Sequence, residues 1–409
     1  MVPEGWKLET VGDVCDFING NGFKSSEWAS RGLPIIRIQN LNGSTEFNYF
    51  DGEPKDRWIV NPGDILFAWA GTKGVSFGAK RWGGPKGVLN QHIFRIEPKK
   101  DLDHEWLYLA LRRVTQRVED KAHGFKATLV HVQKSDITEQ ILYIPPLPEQ
   151  KKIAQILSAW DQAITATERL LENSQQRKKG LMQQLLTGKK RLLEASSIVK
   201  PQKTRTGEIP GDWSYPRIAD ICFQVTNKNS GDRQLPVLSC SKHVGFVDSL
   251  SYFKKKVYSD DLRGYRVIPR DCIGFPANHI EEGSIGLQNL YDYGLVSPIY
   301  VIFRADLKKV NVDYLYSVLK TDHYRQIFCA ATNASVDRRG SLRWKEFSQI
   351  HVPLPPLAEQ NQIAKVLDTA TLEISDLQSS LNFLKKEKKA LMQQLLTGKR
   401  RVKVDAEAA

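Results

Sequence analysis

The stretch PPLPEQKKIAQIL at 145–157 returns as PPLAEQNQIAKVL at 355–367, and LMQQLLTGKK at 181–190 returns as LMQQLLTGKR at 391–400. Both pairs stand 210 residues apart, and an internal repeat of this kind decides the plan of a chain before any local reading does. Working outward, Pro3, Trp6, Asp13 and Cys15 match Pro210, Trp213, Asp220 and Cys222 at an offset of 207, and Pro62-Gly63-Asp64 matches Pro269-Arg270-Asp271 at the same offset. Each of these triplets reads as a turn that feeds a strand. The order is therefore globular part, helix, globular part, helix.

Within the first repeated span Ile153, Leu157, Trp160, Ile164, Leu171, Leu181 and Leu185 step by threes and fours, with Thr167, Ser174 and Lys178 at the remaining positions of the stripe. The second copy runs Ile363, Leu367, Ala370, Ile374, Leu377, Leu381, Leu384, Lys388, Leu391 and Leu395. No proline interrupts either stripe, and each span closes on Thr-Gly-Lys, where glycine is the usual helix stop. About 38 residues at ~1.5 Å each predict a rod of roughly 57 Å. Such a helix can pack on its own globular part, but a narrow stripe kept over about five heptads fits a partner helix better, and the other copy is always present.

The expected fold class is α+β: two globular mixed α/β domains separated by two long antiparallel coiled-coil helices, with pseudo-two-fold placement. The expected boundaries are 1–148 for the first globular domain, 149–190 for the first helix and 191–207 for a linker containing the polar, basic run SSIVKPQKTRTG. Residues 208–356 form the second globular domain, 357–400 the second helix and 401–409 a tail.

A chain of 409 residues has room for two to four domains. Its longest unbroken apolar run is Ile65–Ala70, far short of the ~20 residues that cross a bilayer. The opening MVPEGWKLETVGDV has neither a basic nor an apolar leader region, so a cytoplasmic location is expected. Five cysteines (Cys15, Cys222, Cys240, Cys272, Cys329) form no Cys-x-x-Cys pair, which predicts reduced, mostly buried thiols and no thiolate metal site. Lys plus Arg is 59 against 46 Asp plus Glu, a net charge of +13, so a polyanion is the first partner to consider. The surplus is largest over 149–205, while the globular parts are nearly balanced. Any DNA binding there must come from charge arranged on one face.

Catalytic signatures are missing. Thr187-Gly188-Lys189-Lys190 lacks the leading glycine and the trailing Ser or Thr of a phosphate loop, and helix capping explains it better. Glu-x-Lys triplets at Glu53, Glu119, Glu149 and Glu387 follow no Pro-Asp at nuclease-like spacing. There is no base-methylation loop, no glycine-rich methyl-donor loop after a strand and no HExxH; the eight histidines are scattered, and lone ones such as His92 or His131 read as structural or DNA-contacting. No catalytic residue, metal or cofactor is assigned to this chain.

The loops are a different matter. The first part offers Asn21, Lys24 and Ser25 in NGNGFKSSEW, Arg37, Gln39 and Asn40 in RIQNLN, Thr72 and Lys73 in AGTKG, Asn90, Gln91 and His92 in LNQH, and Lys126 and Thr128 in HGFKATLVH. The second offers Ser241, Lys242 and His243 in SCSKHVGF, Asn278 and His279 in ANHIEEGS, Ser297 in LVSP, and Asn333, Ser335, Arg338 and Arg339 in NASVDRRGSLRW. Asn and Gln pair bidentately with adenine and Arg and Lys with guanine, while hydroxyls and loop amides fix phosphates. Each residue taken singly also fits an ordinary hydrated loop. Different loops on matching frames predict that different sequences are read. Six tryptophans in the first part (Trp6, Trp28, Trp58, Trp69, Trp82, Trp106) read as core rather than base-stacking platforms. A fused enzyme with an unrecognised centre, or a tether that binds only protein, remains open on the residues alone.

With these motifs in hand the sequence resembles the DNA-specificity subunit of Type I restriction-modification systems. PPLPEQ with LMQQLLTGKK and PPLAEQ with LMQQLLTGKR carry the likeness, joined by LPIIRIQNL (33–41), PGDILFAW (62–69), LNQHIFRI (89–96), KHVGFVD (242–248) and NHIEEGSIG (278–286). The resemblance implies two target recognition domains, each gripping half of a split, asymmetric site on double-stranded DNA. It implies helices that set the spacer and carry two methyltransferase (modification) subunits, joined by ATP-driven restriction subunits. Adenine methylation and cleavage, with S-adenosylmethionine, ATP and Mg2+, then belong to those partners. Thr167 and Ser174 depart from the pattern, standing where the second copy has Leu377 and Leu384.

Overall fold

A computed structural model of the chain describes residues 2–121, 129–193, 200–205, 207–231, 234–333 and 340–404. The chain forms two compact units, Met1–Arg169 with Ser379–Ala409, and Leu170–Gln378. Each unit joins one globular part to stretches of both long helices, which run over Leu147–Leu185 and Leu357–Leu395.

In the first unit a four-stranded antiparallel sheet is built from β1 (Cys15–Asn19), β2 (Ile65–Ala68), β3 (Gly78–Arg81) and β4 (Ile93–Pro98), ordered β1-β4-β2-β3. The helix α1 (His104–Lys121) packs on it. The apolar run at β2 is explained by burial on both faces: Ile65 and Phe67 enter one core with Trp106, while Leu66 and Ala68 enter another with Ile36 and Trp82. In the second unit β5 (Cys222–Gln224), β6 (Cys272–Pro276), β7 (Gly286–Gln288) and β8 (Tyr300–Ala305) repeat the order as β5-β8-β6-β7. Helices α2 (Val312–Leu319) and α3 (Asp322–Asn333) cover it. The faint repeat of the globular parts is a repeat of this sheet.

The helix stripes meet in antiparallel fashion inside each unit. In the first unit Lys388 pairs with Asp161, and Lys385 with Glu168 at 2.7 Å. In the second, Ser174 donates to Glu373 at 2.9 Å, Arg177 pairs with the same carboxylate, and Lys178 donates to Thr371 at 2.7 Å. Ser174 is thus a satisfied buried group rather than a gap, and Thr167 donates to its own Ala163 carbonyl. Ser174 and Lys388 are the buried members of these pairs, and buried polar groups of this kind favour one register over its neighbours. The stripe as a pure helix-to-helix seam needs correction. Ile153, Leu157 and Leu395, with Leu391 against them, sink into the core of the first globular part, as Ile363, Leu367 and Leu185, with Leu181, do in the second. Between these ends Leu171 and Leu381 are buried, whereas Trp160, Ile164, Ile374, Leu377 and Leu384 are half-buried.

The PPLxEQ motif, whose role sequence reading left blank, anchors those ends. Glu149 accepts from the Trp6 indole at 3.3 Å and from Arg401, and Glu359 accepts from the Trp213 indole at 3.3 Å and from Arg191 at 2.8 Å. Each arginine follows the Thr-Gly-Lys end of one long helix and grips the start of the other. Gln150 and Gln360 complete the motif, accepting the backbone amides of Asp103 and Asn311 and donating to the carbonyls of Pro145 and Pro355. The glycine after each helix is required twice over. Gly188 and Gly398 have φ of +70° and +68°, and a Cβ there would lie 2.4 Å from Pro210 and 2.2 Å from Pro3.

Cys15, Cys222 and Cys272 are buried thiols held in no disulfide. Burial pushes the thiols of Cys15, Cys222 and Cys240 up to about 12. The folded state therefore keeps protons that the unfolded chain releases near its ordinary thiol value, so stability is full below that value and falls as pH rises towards 12. Urea midpoints are expected to drop between pH 9 and 10.5 by an amount that Cys15→Ala reduces; a pH-independent midpoint would contradict the burial.

Candidate nucleic-acid interface

In the first unit, loops from three stretches converge at the ends of β1, β2 and β4. Gly20 permits the approach, since a Cβ there would stand 2.2 Å from the Asn90 carbonyl oxygen. Asn21 donates its amide to Leu89 at 2.8 Å and bridges Asn90 in parallel. Gln91 is exposed, with its side-chain nitrogen 3.2 Å from the His92 Nε2. Trp69 anchors the group: its indole donates to the Gln91 carbonyl at 3.2 Å, and its ring lies 5.1 Å from His92 and 4.9 Å from His131. The Nδ1 of His92 is buried with no partner among the described residues. Lys134 extends the patch, with its amine 6.0 Å from the ring of Phe94, which itself neighbours Trp69. Asn21, Asn90, Gln91 and His92 are thus brought together, with Trp69, His131 and Lys134 beside them. The arrangement presents amides, imidazoles, an indole edge and one amine, a set suited to base edges and phosphates.

Other candidates lie apart from this patch. Asn40 is a correction: it is only 6% exposed, and its amide accepts from the Arg37 backbone and donates to the Ser44 and Glu46 carbonyls. It shapes the loop and has no edge left for a base. Gln39 stays exposed beside it, its amide 3.5 Å from the Glu46 carbonyl. Arg37 donates to Asn48 at 3.1 Å and stacks 5.2 Å from the Trp28 ring. Lys24 and Ser25 are exposed at a single 3-10 turn. Lys73 donates to the Glu119 carbonyl at 3.0 Å, which fastens the Thr72–Ser76 turn to α1. Lys126 and Thr128 lie outside the described residues. The tryptophan reading holds for Trp6, Trp58, Trp82 and Trp106, which are buried. It fails for Trp28, which is 39% exposed, and for the half-buried Trp69.

The second unit carries an open cleft of about 850 Å³ at the matching place. Asn278 lines it together with Gln224, Arg266, Ser341, Arg343, Trp344 and Lys345; the sequence pointed to Asn278 and to the NASVDRRGSLRW loop that carries Ser341, Arg343 and Trp344, and missed Gln224, Arg266 and Lys345. The equivalence is fixed by one hydrogen bond: Val132 donates to the Trp69 carbonyl at 3.1 Å, and Leu342 donates to the Ala277 carbonyl at 2.8 Å. Alanine therefore stands where the first unit has its indole. Arg266 is held by the Pro298 carbonyl at 3.0 Å, and Tyr300 in the cleft wall accepts from the Cys240 amide at 2.9 Å. Burial raises the Tyr300 phenol well above its usual range, so it stays a neutral hydroxyl.

Ser241, Lys242 and His243 form the tip of a hairpin between Leu238–Ser241 and Gly245–Asp248. Lys320 ties that tip down, donating to the carbonyls of Lys242 at 2.8 Å and Gly283 at 2.9 Å, and its burial lowers its pKa. His279 faces Glu282 at 3.4 Å, with Glu281 close by, which makes its surroundings acidic. Ser297 is half-buried, its carbonyl accepting from Tyr300. Ser335, Arg338 and Arg339 lie outside the described residues, as does the side chain of Asn333.

A family model described as the Type I restriction modification DNA specificity domain matches residues 3–173 and 268–386. The MjaVIII specificity subunit of a Type I restriction enzyme from Methanocaldococcus jannaschii is 26% identical, over 98% of this chain and 94% of its own length. The EcoBI specificity subunit from Escherichia coli is 24% identical, over 93% and 82%. The fold is shared with a Type I restriction-modification S subunit from M. genitalium, at a TM-score of 0.58 and 14% identity over 97% of this chain and 96% of that one. It is shared too with a chain solved for the complex assembly of the type I R-M system, at a TM-score of 0.56 and 16% identity, covering 98% and 100%.

Proposed function

Since the chain belongs to the Type I restriction-modification DNA specificity family, it is a DNA-recognition subunit, and we propose that each globular part grips one half of a split, asymmetric site on double-stranded DNA. The long helices set the spacer between the halves and carry two methyltransferase subunits, to which ATP-dependent restriction subunits add. S-adenosylmethionine, ATP and Mg2+ serve those partners.

The observation that carries this reading is one frame presenting two unlike surfaces: an indole-filled patch around Trp69 and an open cationic cleft around Ala277. Two readers of the same sequence would have no use for that difference. Apolar side chains left in water on the long helices, Leu372 at 58% and Phe383 at 60%, fit a role in carrying other subunits.

The test mixes the chain with its methyltransferase partner and maps methylated adenines. One bipartite motif is expected, and Gln91→Ala is expected to relax one base position in one half, at ~1–3 kcal/mol of discrimination. Methylation that does not change when the chain is left out would end the proposal, and a uniform loss of affinity in the variant would make Gln91 a phosphate contact.

A further inference from the structure

In the first unit a cleft of about 510 Å³ lies between α1 and the second long helix. Arg112, Arg113 and Arg117 line one side and Lys385, Lys388 and Lys389 the other, against only Asp120 and Asp161. Asp161 is taken by Lys388, and Lys385 reaches out to Glu168. The other four cations have no carboxylate partner among the described residues. Arg113 donates to the Leu396 carbonyl at 3.3 Å and Arg117 to the Ile141 carbonyl at 2.7 Å, while the Arg117 Nε is buried and unpartnered. Half-buried guanidiniums without counter-charge are costly, and burial followed by mutual repulsion lowers the Arg113 pKa.

The second unit has the repeat-equivalent cleft with the same floor: Lys178, Lys179, Met182 and Gln183 stand for Lys388, Lys389, Met392 and Gln393. Its opposite wall differs, offering Val318, Lys320, Thr321, Asp322, His323 and Tyr324 with no arginine, and the Lys320 amine is spent on the carbonyls of Lys242, Gly283 and Ile285. A groove for a partner bound twice would keep both walls alike. The charge in the first unit therefore answers an occupant that meets this unit alone.

We propose that the cleft between α1 and the second long helix binds a phosphate-class anion, held by Arg112, Arg113, Arg117 and Lys389 through charge-assisted hydrogen bonds. The phosphate arrives either on a nucleic-acid backbone or as a free polyphosphate. Neither source requires base reading by the loops, so this inference stands or falls apart from the proposed function.

The experiment uses the full chain and Arg112→Gln/Lys389→Gln, both exposed positions. Inorganic pyrophosphate is expected to raise the melting temperature by a few degrees over chloride at matched ionic strength, and the double variant to lose that rise. For a backbone source, the salt slope of binding to duplex of arbitrary sequence falls by about two in the variant, about one per cation removed. For a free polyphosphate, the slope is unchanged while the pyrophosphate effect disappears. Equal melting in both salts with an unchanged slope overturns the proposal. So does a pyrophosphate effect that survives the double substitution, or a defect confined to assembly with protein subunits, which would mark a groove for an acidic protein segment.

Discussion

Glu359→Ala is expected to destabilise the protein by about 3–5 kcal/mol, the cost of breaking a buried ion pair by removing one partner. The Glu359 side chain is fully buried and satisfies four donors at once: the Trp213 indole, two nitrogens of Arg191 and the Leu192 backbone amide at 3.4 Å. Its loss leaves the indole N–H unpaired in the core and Arg191 with Asp212 alone. For a chain of this size the melting temperature should fall by about 4–6 °C. Glu149→Ala should cost less, because Arg401 is 44% exposed and returns to water when its partner goes. Scanning calorimetry of both variants checks the order. Equal losses, or a Glu359→Ala protein as stable as the parent, would refute the anchoring role given to the motif.

Residues 1–205 alone are expected to form a homodimer. The fragment keeps Trp6, Glu149 and the whole first long helix, and it ends beyond Arg191, which stands in the repeat where Arg401 stands. Glu149 of one copy can then take Arg191 of the other in place of Arg401, with the same helix stripe between them. Size-exclusion chromatography with light scattering should give twice the fragment mass, and Glu149→Ala should shift it towards monomer. With the methyltransferase partner the dimer should direct methylation to an inverted repeat of the first half-site. A helical but monomeric fragment would count against the prediction.

The repeat, the helices and their direction were legible because identity and period are local properties of a chain. What stayed hidden was contact at long range. Glu149 meets Arg401 across 252 residues and Glu359 meets Arg191 across 168, and no spacing rule links them. Asn40 misled for a physical reason: the amide that could read adenine is the same amide that can cap its own loop, and composition does not tell the two apart. Trp69 misled in the opposite sense, since an indole at the end of an apolar strand reads as core. Lys134, Gln224, Arg266 and Lys345 gave no signal, because their meaning depends on which strand ends lie side by side. The six cations between α1 and the second long helix look, in sequence, like the hydrated faces of two separate amphipathic helices.

The Trp69 and Ala277 positions share a backbone hydrogen bond and differ in everything that points away from it. Side-chain bulk at this spot can therefore vary after gene duplication without disturbing the ladder beneath, and the shape offered to a ligand changes while folding is untouched. Diversification of what the molecule recognises then needs no new scaffold, only drift at a site that the scaffold does not police.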